Sequence, residues 1–175
     1  MVEEQTEPVP QHAVIVGVIP DQPPRVIREA ARYAALFRAP LIVAHVDVTR
    51  FVTYEDPDGY VHSAPIDLDI SVGEAQLAIV RDAAAAVLDG PAADGLEWTV
   101  RQLVGDPALA LKHLAESAQA RLIVVGTRRR GFGESVREFF TGSVAARLAH
   151  RQSRPILVVP LEEPAGDDEV LWPDT

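Results

Sequence analysis

Four runs of Val, Ile and Leu stand out along the chain: "HAVIVGV" (12–18), "PLIVAHVDV" (40–48), "RLIVVG" (121–126) and "RPILVVP" (154–160). They are continuous rather than alternating, which suits parallel strands covered on both faces. A fifth run, "LEWTVRQLV" (96–104), alternates more, with Leu96, Trp98, Val100 and Gln102 to one side. That pattern fits a strand nearer a sheet edge. Between these runs the apolar positions fall at helical spacing. Val26, Ala30, Tyr33, Ala34 and Phe37 form one face, and Leu77, Val80, Ala84, Val87 and Leu88 a second. Leu111, Leu114, Ala115 and Ala118 form a third, and Thr141, Val144, Ala145 and Leu148 a fourth. Asp106-Pro107 reads as a helix start. Asp can cap free amides, and Pro fits a first turn whose N–H has no partner.

Strands alternating with helices predict an α/β fold, a doubly wound five-stranded parallel sheet with helices on both faces. In such sheets ligands bind beyond the carboxyl ends of the strands, where the strand order switches. The informative positions are therefore 18–22, 46–48, 105–107 and 126–133. One stretch does not fit a short connection. Residues 49–70, "TRFVTYEDPDGYVHSAPIDLDI", are aromatic, acidic and rich in turn formers. A long loop is expected there, acting as a mobile insertion, a partner or dimer contact, or a pocket lid.

Composition narrows the classes. A chain of 175 residues suits one domain, taken as 12–160 between an acidic N-terminal tail (1–11) and an acidic C-terminal tail (161–175). The tail from Leu161 is expected to lack regular structure, with "VLW" (170–172) able to dock an apolar cleft. The formal charge of −10 is unevenly placed: Glu3, Glu4 and Glu7 lie at one end, six carboxylates lie in 161–175, and the rest is left near neutral at −1. Such tails repel nucleic acid, and Arg128-Arg129-Arg130 is too small a cluster for a general nucleic-acid surface. No apolar run approaches the roughly 18 residues of a membrane helix. "MVEEQTEPVPQH" does not read as a secretory signal. A cytoplasmic protein with no nucleic-acid or membrane partner is the expectation. The sequence has no cysteine, so disulfides and thiolate sites are excluded.

Catalytic and metal motifs are missing from the sequence. It has no dinucleotide fingerprint, P-loop or nucleophile elbow. His45 and Asp47 fall on one side of a strand, but His62 is the single nearby third ligand, so a structural role for His45 is expected. His113 and His150 are expected at helix surfaces. No metal site and no catalytic residue is assigned.

Three segments carry a resemblance. "AVIVGVIPDQPPRVIREAARYAALFRAPLIVAHV", "VGDPALALKHLAESAQARLIVVGT" and "GSVAARLAHRQSRPILVVP" together resemble the universal stress protein (UspA-domain) family over residues 12–160. The resemblance implies strand order 3-2-1-4-5 and homodimers formed largely through the last strand, residues 155–160. It also implies a small stress-response regulator acting by ligand or partner binding. Some members bind ATP and others do not.

In the ATP binders a loop reads Gly, two residues, Gly, nine residues, then Gly-Ser or Gly-Thr. Here Gly126 matches the first glycine and Gly142-Ser143 the last pair, but Arg129 replaces the middle glycine and the loop is three residues longer. Gly131 and Gly133 are placed to restore the turn in a shifted frame. Ile19 stands where those members carry Asp, and the nearest acid is Asp21. The residues carried over as nucleotide contacts are Asp21, Val46, Gly126, Thr127, Arg128, Gly131, Gly142, Ser143 and Val144. Glycines admit close backbone approach, and a helix start offers free amides to an anion. Each also has a plainer reading: Val46 as a strand residue, the arginines as a solvated loop, and Phe139 and Phe140 as core or dimer contacts. Three functions stay open. One is a regulator that binds an unspecified ligand or partner. Another is a binder of ATP or another adenine nucleotide with at most weak ATPase activity. The third is a protein-interaction module using loop 49–70 and the acidic tail.

Overall fold

A computed structural model describes residues 8–48, 50–55, 61–65, 71–127 and 144–161. Its strands are β1 (Val14–Val18), β2 (Leu41–Asp47), β3 (Arg50–Glu55), β4 (Val61–Pro65), β5 (Trp98–Val104), β6 (Leu122–Gly126) and β7 (Ile156–Val159). The helices are α1 (Arg25–Phe37), α2 (Ser71–Leu88), α3 (Pro107–Ser117) and α4 (Val144–Arg151), with a 3-10 turn at Pro91–Ala93. Five strands form one all-parallel sheet in the order β5-β2-β1-β6-β7. Counting only those strands in chain order, this is 3-2-1-4-5, as the resemblance implies. β1 lies at the centre, and the order reverses between it and β6.

The continuous apolar runs serve two cores at once. On one face Val14, Val16, Leu41, Val43, Leu122 and Val124 meet Val26, Ala30 and Ala34 of α1 and Val80, Ala84 and Leu88 of α2. On the other, Ile15, Ile42, Ala44, Ile123 and Val125 meet Leu111, Leu114 and Ala115 of α3 and Leu148 of α4. Each strand's alternate residues thus feed opposite layers, so no polar position is needed between them. β5 is an edge strand, and all of its residues are half-buried, in keeping with its alternating sequence. Tyr33 packs against the first core, whereas Phe37 is 40% exposed at the end of α1. There Arg38 adopts the left-handed conformation (φ 51°) and its N–H closes on Ala34 and Ala35 carbonyls. His113 and His150 are exposed, as expected.

The segment expected to be a long loop contains regular structure. β3 and β4 pair antiparallel as a separate two-stranded sheet, with a register shift between Val52 and Tyr54. The physical reason is visible in "RFVTYE", whose β-branched and aromatic residues favour a strand, and in the turn formers Asp56-Pro57-Asp58-Gly59 that follow it. The chain then returns to the main body at Gly73, in the first turn of α2. A β-carbon there would collide with Asp47 Oδ2, and the Gln102 carboxamide lies close by. Asp47 is 1% exposed, so glycine is what lets α2 seat against the end of β2.

Candidate functional site

The carboxyl ends of β1 and β6 meet at the switch in strand order, and the residues after them determine what that crevice presents. β1 runs out into Ile19-Pro20-Asp21-Gln22. Asp21 is exposed and takes the left-handed conformation (φ 59°), which Asp tolerates better than most residues. This folds the chain back. Gln22 N–H donates to the Ile19 carbonyl (3.3 Å), and Ile19 N–H donates to Gln22 Oε1 (2.9 Å). The turn aims the Gln22 carboxamide across to β6. A β-carbon on Gly126 would collide with Gln22 Nε2 and lie 3.1–3.2 Å from Leu161 Cδ2 and Val26 Cγ2. Any side chain at 126 would have to displace the Gln22 carboxamide and crowd Leu161 and Val26. Thr127 is held from two sides: its N–H donates to the Val159 carbonyl (2.9 Å), and its Oγ1 accepts from Leu161 N–H (3.0 Å).

The sequence-derived contacts separate into two groups. Asp21 follows β1, and Gly126 and Thr127 lie at the end of β6, where the carboxyl ends of the two paired strands meet. Val46 and Val144 are half-buried and pack with the core beneath α3 and α4, on the opposite face of the sheet from the Gly126 side. Arg128, Gly131, Gly142 and Ser143, with Gly133, Phe139, Phe140 and the tail beyond Leu161, lie outside the described residues. Ile19 is 64% exposed at the crevice rim and Val48 is 57% exposed beyond β2. Gln22 was not legible as a site residue. Its placement depends on the left-handed turn at Asp21, which no motif announces.

Among the described residues, an ion pair joins α4 to the start of α3. Asp106 caps α3 through Oδ1, which accepts from Leu109 N–H (3.0 Å), while Arg147 Nη1 of α4 lies 2.6 Å from Oδ2. The cap was predicted from Asp106-Pro107; its partner Arg147 was not. Burial alone would raise the Asp106 pKa, but Arg147 and the Leu109 and Ala108 amides outweigh it and hold the carboxyl below its ordinary 3.8. A lowered folded value means the contribution is complete above the unfolded value and disappears as the pH falls through the folded one. Asp106→Ala is therefore expected to cost about 0.5–2 kcal/mol near neutral pH. The gap from the wild type should close as the pH drops below 3.8. Urea midpoints of both proteins at several pH values check this; a gap that stays constant into acid would refute the assignment.

His45 and Asp47 are both buried, at 2% and 1% exposure, and share a face of β2. His45 Nδ1 lies 3.3 Å from the Val18 carbonyl. A carbonyl only accepts, so Nδ1 carries the proton. Nε2 has no hydrogen-bond partner among the described residues. The ring links the ends of β1 and β2, the structural role expected of it. No group of three or more His, Cys, Asp or Glu suited to a metal ion occurs among the described residues. No helix among them is long and apolar enough to cross a membrane.

Comparison with known proteins agrees with this architecture. A universal stress protein solved in complex with cAMP is 26% identical, with a TM-score of 0.56, covering 87% of this chain and 99% of that one. A universal stress protein from Archaeoglobus fulgidus in complex with dAMP is 21% identical (TM-score 0.53; 86% and 98% covered). A universal stress protein family member from Burkholderia pseudomallei is 23% identical (TM-score 0.55; 85% and 96% covered). A search of curated protein sequences returned no significant match. The universal stress protein family model matches residues 12–160, which include all five strands of the parallel sheet and the helices packed on both its faces. The chain belongs to the universal stress protein family.

Proposed function

We propose that this universal stress protein is a small regulator that works by binding an adenine nucleotide rather than by turning one over. The nucleotide would lie at the carboxyl ends of β1, β2 and β6. The observation that carries this reading is the convergence of the β1 and β6 exits at the switch in strand order, where open α/β sheets take their ligands. The likeness to the cAMP complex supports it. Asp21, Gly126 and Thr127 would form the rim on the β1–β6 side. Val46 and Val144 would contribute apolar surface on the other. Arg128, Gly131, Gly142 and Ser143 would receive the phosphates through guanidinium bonds and free amides. The domain would comprise residues 12–160 and pair as a homodimer through β7, in the cytoplasm. The absence of paired, environment-tuned carboxylates or an activated nucleophile among the sequence motifs supports binding over catalysis.

Calorimetric titration of the full chain with AMP, cAMP and ATP–Mg²⁺ tests this directly. Micromolar to low-millimolar binding of at least one is expected. No heat and no thermal shift with millimolar ligand would remove the nucleotide reading and leave a partner-binding role.

A further inference from the structure

We infer that Gln22 is a ligand-contacting residue of the β1–β6 crevice, and that it gives the crevice a donor rather than an acceptor, selecting a phosphate oxygen of the bound nucleotide. The inference rests on the nucleotide reading above and adds a polarity to it.

The orientation of the carboxamide follows from its partner. Oxygen and nitrogen of a glutamine amide are distinguished by the bonds they make. Ile19 N–H can only donate, so the atom it meets at 2.9 Å must be the acceptor, Oε1. That commitment leaves the NH₂ group facing away from the turn, over Gly126. Among the described residues, no hydrogen bond to Nε2 is formed, and the side chain is half-buried. Val26 and Leu161 flank the same spot and confine the side chain.

A side chain that merely filled the gap above Gly126 could as well be apolar, since Val26 and Leu161 already line it. A carboxamide with its oxygen bonded and its nitrogen unbonded is instead arranged to donate outward. Its described neighbours on the rim are Ile19, Asp21 and Thr127. Ile19 is apolar, the Asp21 side chain is exposed, and Thr127 Oγ1 already accepts from Leu161 N–H. The Gln22 NH₂ adds a donor of fixed direction, suited to an acceptor oxygen of a ligand. On a nucleotide, a phosphate oxygen is the strongest such acceptor.

The decisive variant is Gln22→Glu. One carboxylate oxygen can still accept from Ile19 N–H, so the turn survives, while the other faces the ligand as a negative acceptor. Calorimetry on the wild type, Gln22→Glu and Gln22→Ala, with AMP and with adenosine, gives the test, and thermal melting checks that the turn is intact. AMP affinity should fall about fivefold to tenfold in Gln22→Ala, the loss of one net hydrogen bond. It should fall by more than about tenfold in Gln22→Glu, where like charges also repel. Adenosine affinity should change less than twofold in either. Unchanged or tightened AMP binding in both variants would overturn the contact and make Gln22 a plug. Equal losses for adenosine and AMP would overturn the phosphate assignment. A wild type that binds neither ligand would defeat the nucleotide reading itself, and this inference with it. Wild-type binding with indifferent variants would defeat the inference alone.

Discussion

Leu148→Ala is expected to lower stability by about 2–5 kcal/mol, the largest loss of any single truncation on α4. This helix has eight residues, too few to be stable by itself. Leu148 is its one fully buried residue, at 0% exposure, and reaches the core that Ile123, Val125, Leu111 and Leu114 share. Val144 and Ala145 contact that core only as half-buried neighbours. Beyond Leu148, the side-chain attachment described for α4 is the Arg147–Asp106 pair, and partly exposed ion pairs contribute less than about 1 kcal/mol. Removing three carbons from Leu148 thus leaves a cavity where the helix is anchored. A drop of roughly 5–15 °C in melting temperature should accompany it for a chain of this size. Urea unfolding gives the energy directly, and a loss below about 1 kcal/mol would mean that the helix is held elsewhere.

Gly142→Asp should abolish nucleotide binding, a weakening of at least about a hundredfold, while leaving the fold intact. The residue lies two positions ahead of α4, whose first amides would receive the phosphates. On the proposed reading a carboxylate there would meet the ligand's charge, and two like charges about 4 Å apart repel by around 4 kcal/mol near a protein surface. The same carboxylate is favourable to the helix itself, because negative charge near an N-terminus complements the dipole. Binding and stability should therefore separate: no calorimetric heat with AMP or ATP, and an unchanged or slightly higher melting temperature. Retained affinity would move the phosphates away from the start of α4 and toward Arg128 and Gly131.

The parts of this molecule that sequence reveals are those whose cause is local or periodic. "AVIVGV" and "LIVAHV" name the central strands because a strand covered on both faces has no polar side to show. Asp106-Pro107 names its helix because both residues act within the first turn. The order of the strands is not periodic. It came from the family resemblance, and the pairing of β1 with both β2 and β6 agrees with it. Residues 50–65 read as a loop because their turn formers and acids outweighed the short alternating stretch in "FVTYE", which only the antiparallel partner turns into a strand. Gly126 was legible as a special glycine, and the fold adds a packing reason to the motif's. Motif logic reserves the missing β-carbon for a phosphate, and a β-carbon would also crowd Gln22, Val26 and Leu161. All three are distant from Gly126 in sequence and reach it only through the fold. Arg147 is the same kind of case, one arginine among several until α4 is laid against α3.

The contact between Asp47 and Gly73 has a consequence for the history of the chain as well as its packing. The end of β2 and the first turn of α2 meet there, and the β3–β4 hairpin lies between them in the chain as a sheet of its own. The hairpin pairs with no strand of the parallel sheet. Loop closure scales only with the logarithm of length, so doubling such a segment adds about 0.6 kcal/mol. The fold therefore carries an appendage whose size and sequence can drift, or be exchanged for another, while the β1–β6 crevice stays as it is.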